Sequence, residues 1–124
     1  MTELPDHKIA DCQKVSRVLA RVGDKWSVLI IMLLRGRPCR FSELKRGIDG
    51  VSQRMLTLTL RNLERDGLVT RTVTPSIPPR VDYELTALGH SLAEPVQALG
   101  AWTFANLDAL DAAQARYDAR DGAS

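Results

Sequence analysis

The sequence is short of the features that mark secreted miniproteins, membrane proteins and common enzymes. It has two cysteines, Cys12 and Cys39, in 124 residues, too few for a disulfide framework. Its longest uninterrupted apolar run spans Val28 to Leu34, far below the roughly 20 residues of a membrane span. Met1 to Lys8 carry no charged-then-apolar leader pattern, so a cytoplasmic protein with no membrane partner is expected. No nucleophile elbow, phosphate loop, paired-carboxylate site or Cys–His dyad stands out, and Gly47 to Gly50 form a turn rather than a phosphate cradle. His7, His90, Cys12 and Cys39 do not follow a zinc spacing, so neither metal nor cofactor is expected. What is present is globular composition, 44% hydrophobic and 26% charged, in the size of one domain.

Charge is segregated along the chain. The net is only +2. Yet residues 35–80 hold ten Lys/Arg against four Asp/Glu, whereas residues 81–124 hold two against seven. A middle segment this basic attracts polyanions. A merely well-solvated surface is the competing reading, so charge proposes nucleic acid without establishing it.

Hydrophobic periodicity orders the elements. Residues 1–11 show no apolar period and read as a flexible arm. Val15, Val18, Leu19 and Val22 recur at helical steps, Gly23 ends that helix and Asp24 caps the next. Lys25 to Arg35 are apolar on every side, which predicts a helix buried on every side. A short helix follows, capped by Ser42, with Phe41, Leu44 and Ile48 inward. After the Asp49-Gly50 joint, Ser52 caps a longer helix ending at Asp66-Gly67. The period then becomes two over residues 68–74 and 80–86, around a prolyl tip at 75–79. Helical spacing returns from Thr86 to about Arg120, with a kink or division expected at Pro95. This order predicts an α+β, mainly α fold, a winged helix-turn-helix with a two-stranded β-wing and C-terminal dimerisation helices. One domain is expected over 1–124, with a winged-helix core at 24–86.

Helical geometry on residues 52–66 separates two faces. Advancing roughly 100° per residue from Leu56, Leu60 lies at about 40° and Leu63 at about −20°, while Arg61, Arg54 and Arg65 fall between about 140° and 180°. Arginine can bond guanine bidentately, glutamine can pair with adenine, and a threonine methyl can touch a thymine methyl. Gln53, Arg54, Thr57 and Arg61 are therefore the candidate base contacts in a major groove. Arg40, Ser42, Lys45, Ser52, Ser76 and Arg80 are candidates for the backbone or for the wing, residues 72–82, at the adjacent minor groove. Arg65, flanked by Glu64 and Asp66, is expected to pair with them. Leu58 is an apolar residue on the exposed face, at about 200°.

Several ordered motifs carry a family resemblance: Gly23-Asp-Lys-Trp-Ser-Val-Leu-Ile30, Arg40-Phe-Ser-Glu-Leu44, Gly50-Val-Ser-Gln-Arg-Met-Leu-Thr57, Leu63-Glu-Arg-Asp-Gly-Leu-Val69 and Pro78-Pro-Arg-Val-Asp-Tyr-Glu-Leu-Thr86. Over residues 12–103 the chain resembles HxlR-type transcriptional regulators, a branch of the MarR-like winged-helix proteins. The resemblance implies a homodimer on a double-stranded DNA operator with an inverted repeat, a repressor being the expected sign of regulation. It also implies pairing through the first helix (12–22) and the C-terminal helices (87–120), which puts Val15 and Val18 at the interface. Leu58 departs from the polar residue, typically Gln, of similar proteins. On the residues alone, Leu92, Val96, Leu99 and Trp102 step along one face, open either to a second copy or to the chain's own core.

Cys12 opens the first predicted helix, where unpaired backbone N–H groups favour a thiolate. Similar regulators use a cysteine near this place to sense oxidants or electrophiles, which makes Cys12 a candidate redox sensor beside the plain reading of an idle thiol. A small-molecule or oxidant effector therefore stays open as a partner. Two other functions also remain open: a winged helix that docks a protein without reading DNA, and a thiol enzyme using Cys12.

Overall fold

The computed structural model describes residues 9–123. The expected arm at residues 1–8, including His7, lies outside them, and residues 9–11 belong to the first helix rather than to an arm. The order is α1 (Ile9–Gly23), α2 (Lys25–Gly36), β1 (Cys39–Arg40), α3 (Phe41–Gly47), α4 (Gln53–Arg65), β2 (Val69–Thr74), β3 (Arg80–Leu85) and α5 (Ala87–Ala123). The chain divides into two compact units, one reaching Ala93 and one beginning at Glu94.

The first unit is a winged helix. Asp24 caps α2, its carboxylate accepting from the Trp26 N–H at 3.3 Å and from the Ser27 hydroxyl at 2.8 Å. Ile30, Ile31 and Leu34 of α2 meet Leu44 of α3, Leu56, Leu60 and Leu63 of α4, and Val69, Tyr83 and Leu85 of the sheet in one buried cluster. Each such fully buried leucine or isoleucine contributes roughly 1.5–3 kcal/mol over its exposed state. The expectation that α2 is buried all round needs correction: Leu29 is 43% and Leu33 37% exposed. One small unit covers only part of a helix's circumference, and the remaining apolar side faces out.

The sheet has three strands, ordered β1-β3-β2 and antiparallel. The two-residue strand β1, paired Cys39 to Tyr83 and Arg40 to Asp82, joins the two expected strands. This extended stretch shifts the start of α3. Arg40 occupies the N-cap position with φ −80° and ψ 160°, and Ser42, the expected cap, becomes the helix's second residue. Glu43 Oε1 accepts from the Arg40 N–H at 2.9 Å and Oε2 from Arg37 Nη2 at 2.7 Å.

Thr86 joins the sheet to α5. Its hydroxyl donates to the Gly67 carbonyl at 2.7 Å and accepts from the Gly89 N–H at 3.0 Å, while its own N–H donates to the Leu68 carbonyl. The second unit, from Glu94, is helical up to Ala123, and α5 carries Pro95 without the expected division. A proline removes a single i→i−4 bond, and the Ala- and Leu-rich turns beyond it are strong helix formers.

Candidate nucleic-acid interface

α3 and α4 are joined by the short turn at residues 48–52, where Gly50 takes φ +82°. That left-handed conformation favours glycine, and it lets the chain reverse between the two helices. Ser52 Oγ then accepts from the Met55 N–H at 3.0 Å, capping α4. Gly67, at φ +77°, ends the helix and releases the chain into β2. Leu56, Leu60 and Leu63 are 0–2% exposed, so the inward stripe anchors α4 and leaves its opposite face to solvent.

On that outer face Gln53, Arg54, Arg61 and Arg65 are exposed and Thr57 is half-buried. Leu58 stands among them, 50% exposed. Among the described residues no carboxylate lies within 4 Å of Arg54, Arg61 or Arg65. The expected pairing of Arg65 with Asp66 is therefore corrected. Asp66 takes Arg21 of α1 instead, because the end of α4 brings its carboxylate to the last turn of α1. The outer face of α4 keeps its positive charge uncompensated.

A groove separates α4 from the wing, lined by Gln53, Thr57, Arg61 and Glu64 on one side and by Arg71, Val81 and Tyr83 on the other, with Phe41 of α3. Sequence reasoning passed over Arg71 and Glu64. Period two in β2 puts Arg71 on the same side as Val69, and helical spacing puts Glu64 beside Gln53 and Thr57, but only the packing of α4 beside the wing brings those two sides together.

The remaining candidates fall into two groups. Arg40, Ser42 and Lys45 are exposed at and along α3. Two wing candidates already have partners: Arg80 Nε bonds Asp82 at 3.0 Å, and the Ser76 hydroxyl donates to the Pro78 carbonyl at 2.8 Å. Glu43 is held down at about 2, first by its hydrogen bond from Arg37 and then by the Arg40 N–H. It braces the start of α3 and is ionised under all ordinary conditions.

Outside this face, Val15 and Val18 of α1 are 45% and 58% exposed, and Leu99 and Trp102 of α5 are 56% and 55% exposed. Leu92 and Val96 are less exposed than Leu99 and Trp102. Leu92, half-buried, packs against the core of the first unit, and Val96 is 4% exposed. Phe104, 81% exposed, was not anticipated. Cys12 is the fourth residue of α1 rather than its first, and its side chain is exposed. Cys39 is buried, and burial pushes its thiol up. Among the described residues no three His, Cys, Asp or Glu side chains gather as a metal site would require, and no helix is long and apolar enough to cross a membrane.

The pattern of the HxlR-like helix-turn-helix family matches residues 21–111, a stretch that holds α2, α3, the capped α4 and the wing. The chain belongs to this family. It is a transcriptional regulator with a helix-turn-helix, in a family of regulators rather than enzymes. It is 47% identical over 90 residues to the HTH-type transcriptional regulator YtfH of Escherichia coli K12, covering 73% of this chain and 71% of that one. Among solved structures, the transcriptional regulator ytfH from Salmonella typhimurium has a TM-score of 0.76 and 41% identity, over 81% of this chain and 89% of that one. The redox regulator HypR is also similar. Its reduced form has a TM-score of 0.75 and 37% identity, over 80% of this chain and 98% of that one, and its oxidised form has a TM-score of 0.69 and 38% identity, over 75% and 96%.

Proposed function

We propose that this chain is a homodimeric, sequence-specific repressor that binds an inverted-repeat operator in the cytoplasm, with α4 in the major groove and the wing at the adjacent minor groove or backbone. The observation that carries this reading is the outer face of α4. Unpaired guanidinium groups at Arg54 and Arg61 flank a half-exposed Leu58 on a helix whose N-terminus is capped and open to anions. Gln53, Arg54, Thr57 and Arg61 read bases, Leu58 meets a thymine methyl, and Arg40, Ser42, Lys45 and Ser52 hold phosphates. Arg71 joins them from β2. Arg80 and Ser76 reach DNA only by giving up their present partners.

Dimerisation is supported by apolar side chains that are half-exposed or more: Val15, Val18 and Leu19 on α1, and Leu99, Trp102 and Phe104 on α5. A two-fold dimer presents two recognition helices to successive major grooves about 34 Å apart, the requirement of an inverted repeat. Redox control through Cys12 is the finer part of the proposal. Its thiol is exposed, and a similar regulator, HypR, has a reduced and an oxidised form. Two Cys12 thiols, one from each copy, would lose two electrons and two protons to form a disulfide while a peroxide is reduced to water. α1 is tied to the end of α4 through Arg21 and Asp66, so a tilt of α1 reaches the reading head.

Capture of sheared DNA from the source genome on the reduced protein tests this. A few enriched intergenic fragments sharing an inverted repeat are expected, with the set altered by mild peroxide and insensitive to peroxide in Cys12→Ser. Absence of enrichment at moderate salt with either form would overturn DNA reading in favour of protein docking. An unchanged response in Cys12→Ser would remove the redox switch alone.

A further inference from the structure

The outer part of the wing carries no charge with which to clamp a phosphate. Between Arg71 and Arg80 the chain runs Thr72-Val-Thr-Pro-Ser-Ile-Pro-Pro79 without a single charge. Arg71 lies back in the groove beside α4, and Arg80 is bonded to Asp82. Five residues of the outer hairpin, Val73, Pro75, Ile77, Pro78 and Pro79, are apolar, with Ile77 fully exposed and Val73 46% exposed opposite Val81.

A lone exposed isoleucine is ordinary on a protein surface. Three features make this one different. It sits at the end of paired strands that carry it roughly 17 Å beyond Val69 and Leu85, at about 3.3 Å per residue. It contributes no burial to the fold, being fully exposed. It is also held stiffly: three prolines fix φ around it, and the Ser76 hydroxyl bridges the tip to the Pro78 carbonyl at 2.8 Å. A rigid apolar projection loses little conformational freedom when it enters a narrow cleft.

We infer that Ile77 is an apolar wedge that enters the DNA minor groove beside the α4 site, partly unstacks one base step and bends the operator. This rests on the DNA-binding reading above and adds to it how the wing engages. Apolar side chains are what minor-groove wedges use, and they kink the duplex towards the major groove. Pyrimidine–purine steps unstack most easily, so the wedge selects a TA or CA/TG step at a position that no side chain reads by hydrogen bonds.

The test uses the full-length protein and an operator fragment from the genomic capture, carrying a fluorophore at each end. Energy transfer reports bending, permanganate reports unstacked thymines, and anisotropy reports affinity. The wild-type complex is expected to be bent, with a permanganate-reactive thymine at the wing position. Ile77→Ser should lose most of the bend and the reactivity and weaken binding about threefold to tenfold, whereas Ile77→Leu keeps all three. Replacing the flexible step by an A-tract should weaken wild type and leave Ile77→Ser unaffected. Ile77 is fully exposed, so both variants fold. A straight wild-type complex, or a bend unchanged in Ile77→Ser, overturns the wedge and leaves α4 reading intact. An Ile77→Ser protein with an altered dimer equilibrium would assign the tip to the second copy and also overturns it. Failure of wild type to bind any fragment overturns the underlying reading together with the wedge.

Discussion

Ser52 sits where the stability of the recognition helix and its contact with DNA meet, and two substitutions separate them. Its hydroxyl accepts from the Met55 N–H at 3.0 Å as the N-cap of α4. Ser52→Ala removes that acceptor at a helix start, a loss of about 1 kcal/mol. For a chain of this size that corresponds to a fall in Tm of about 3–6 °C. Ser52→Asp keeps an acceptor at the cap and places a carboxylate at the positive end of the helix, which restores or exceeds wild-type stability by about 0.3–1 kcal/mol. The same carboxylate would face a phosphate. Two charges at contact distance near a protein surface repel by about 1–4 kcal/mol, so operator affinity should fall at least about fivefold even as the melting temperature recovers. Thermal unfolding at fixed protomer concentration and anisotropy on the captured operator measure the two effects. If Ser52→Asp binds as tightly as wild type, Ser52 does not lie at the backbone. If Ser52→Ala melts with wild type, the cap contributes nothing, and the account of how α4 begins is wrong.

Other outcomes follow from the same geometry. Arg54→Ala should cost roughly 1–3 kcal/mol of operator binding and relax preference at one position per half-site, scored by selection from a randomised operator. Lys45→Ala should weaken all sequences alike and lower the slope of log affinity against log salt by about 1. Glu43, held near 2 by Arg37 and the Arg40 N–H, has a folded-state value below its unfolded one of about 4.3. Its contribution is therefore complete above that value and lost as pH falls towards about 2. Urea midpoints of wild type should thus fall more steeply than those of Glu43→Gln between about pH 5 and pH 2 and converge at the acid end; parallel profiles would refute the pair's role. In Gly89→Ala the new Cβ would collide with the Leu68 carbonyl oxygen. That backbone atom cannot step aside, so a loss of at least about 1–3 kcal/mol is expected in chemical denaturation.

Much of the winged helix was legible because its signals are local. The caps at Asp24 and Ser52 and the buried stripe of Leu56, Leu60 and Leu63 follow from residue type and helical spacing within one segment. The candidate reading face was equally legible. Once Leu56 points inward, the positions of Arg54, Leu58 and Arg61 follow from the helical repeat. Arg71 and Glu64 show the limit of pattern applied one element at a time. Strand and helix spacing set which side of its own element each lies on, yet only the packing of α4 beside the wing makes them neighbours.

By itself, then, the amino-acid order determined the order of the main helices and the two long strands, where α4 begins, and which of its sides meets solvent. These depend on backbone propensity, caps and periodicity, all of which act over a few residues. The tertiary structure alone decided that β1 adds a third strand and moves the start of α3 to Arg40. It also decided that Asp66 takes Arg21 instead of Arg65, that Arg80 is committed to Asp82, that Leu92 packs half-buried against the core, and that Val96 is buried while Leu29 and Leu33 are not. Each of these is a choice among partners equally acceptable in sequence, and distance in the folded chain selects one of them.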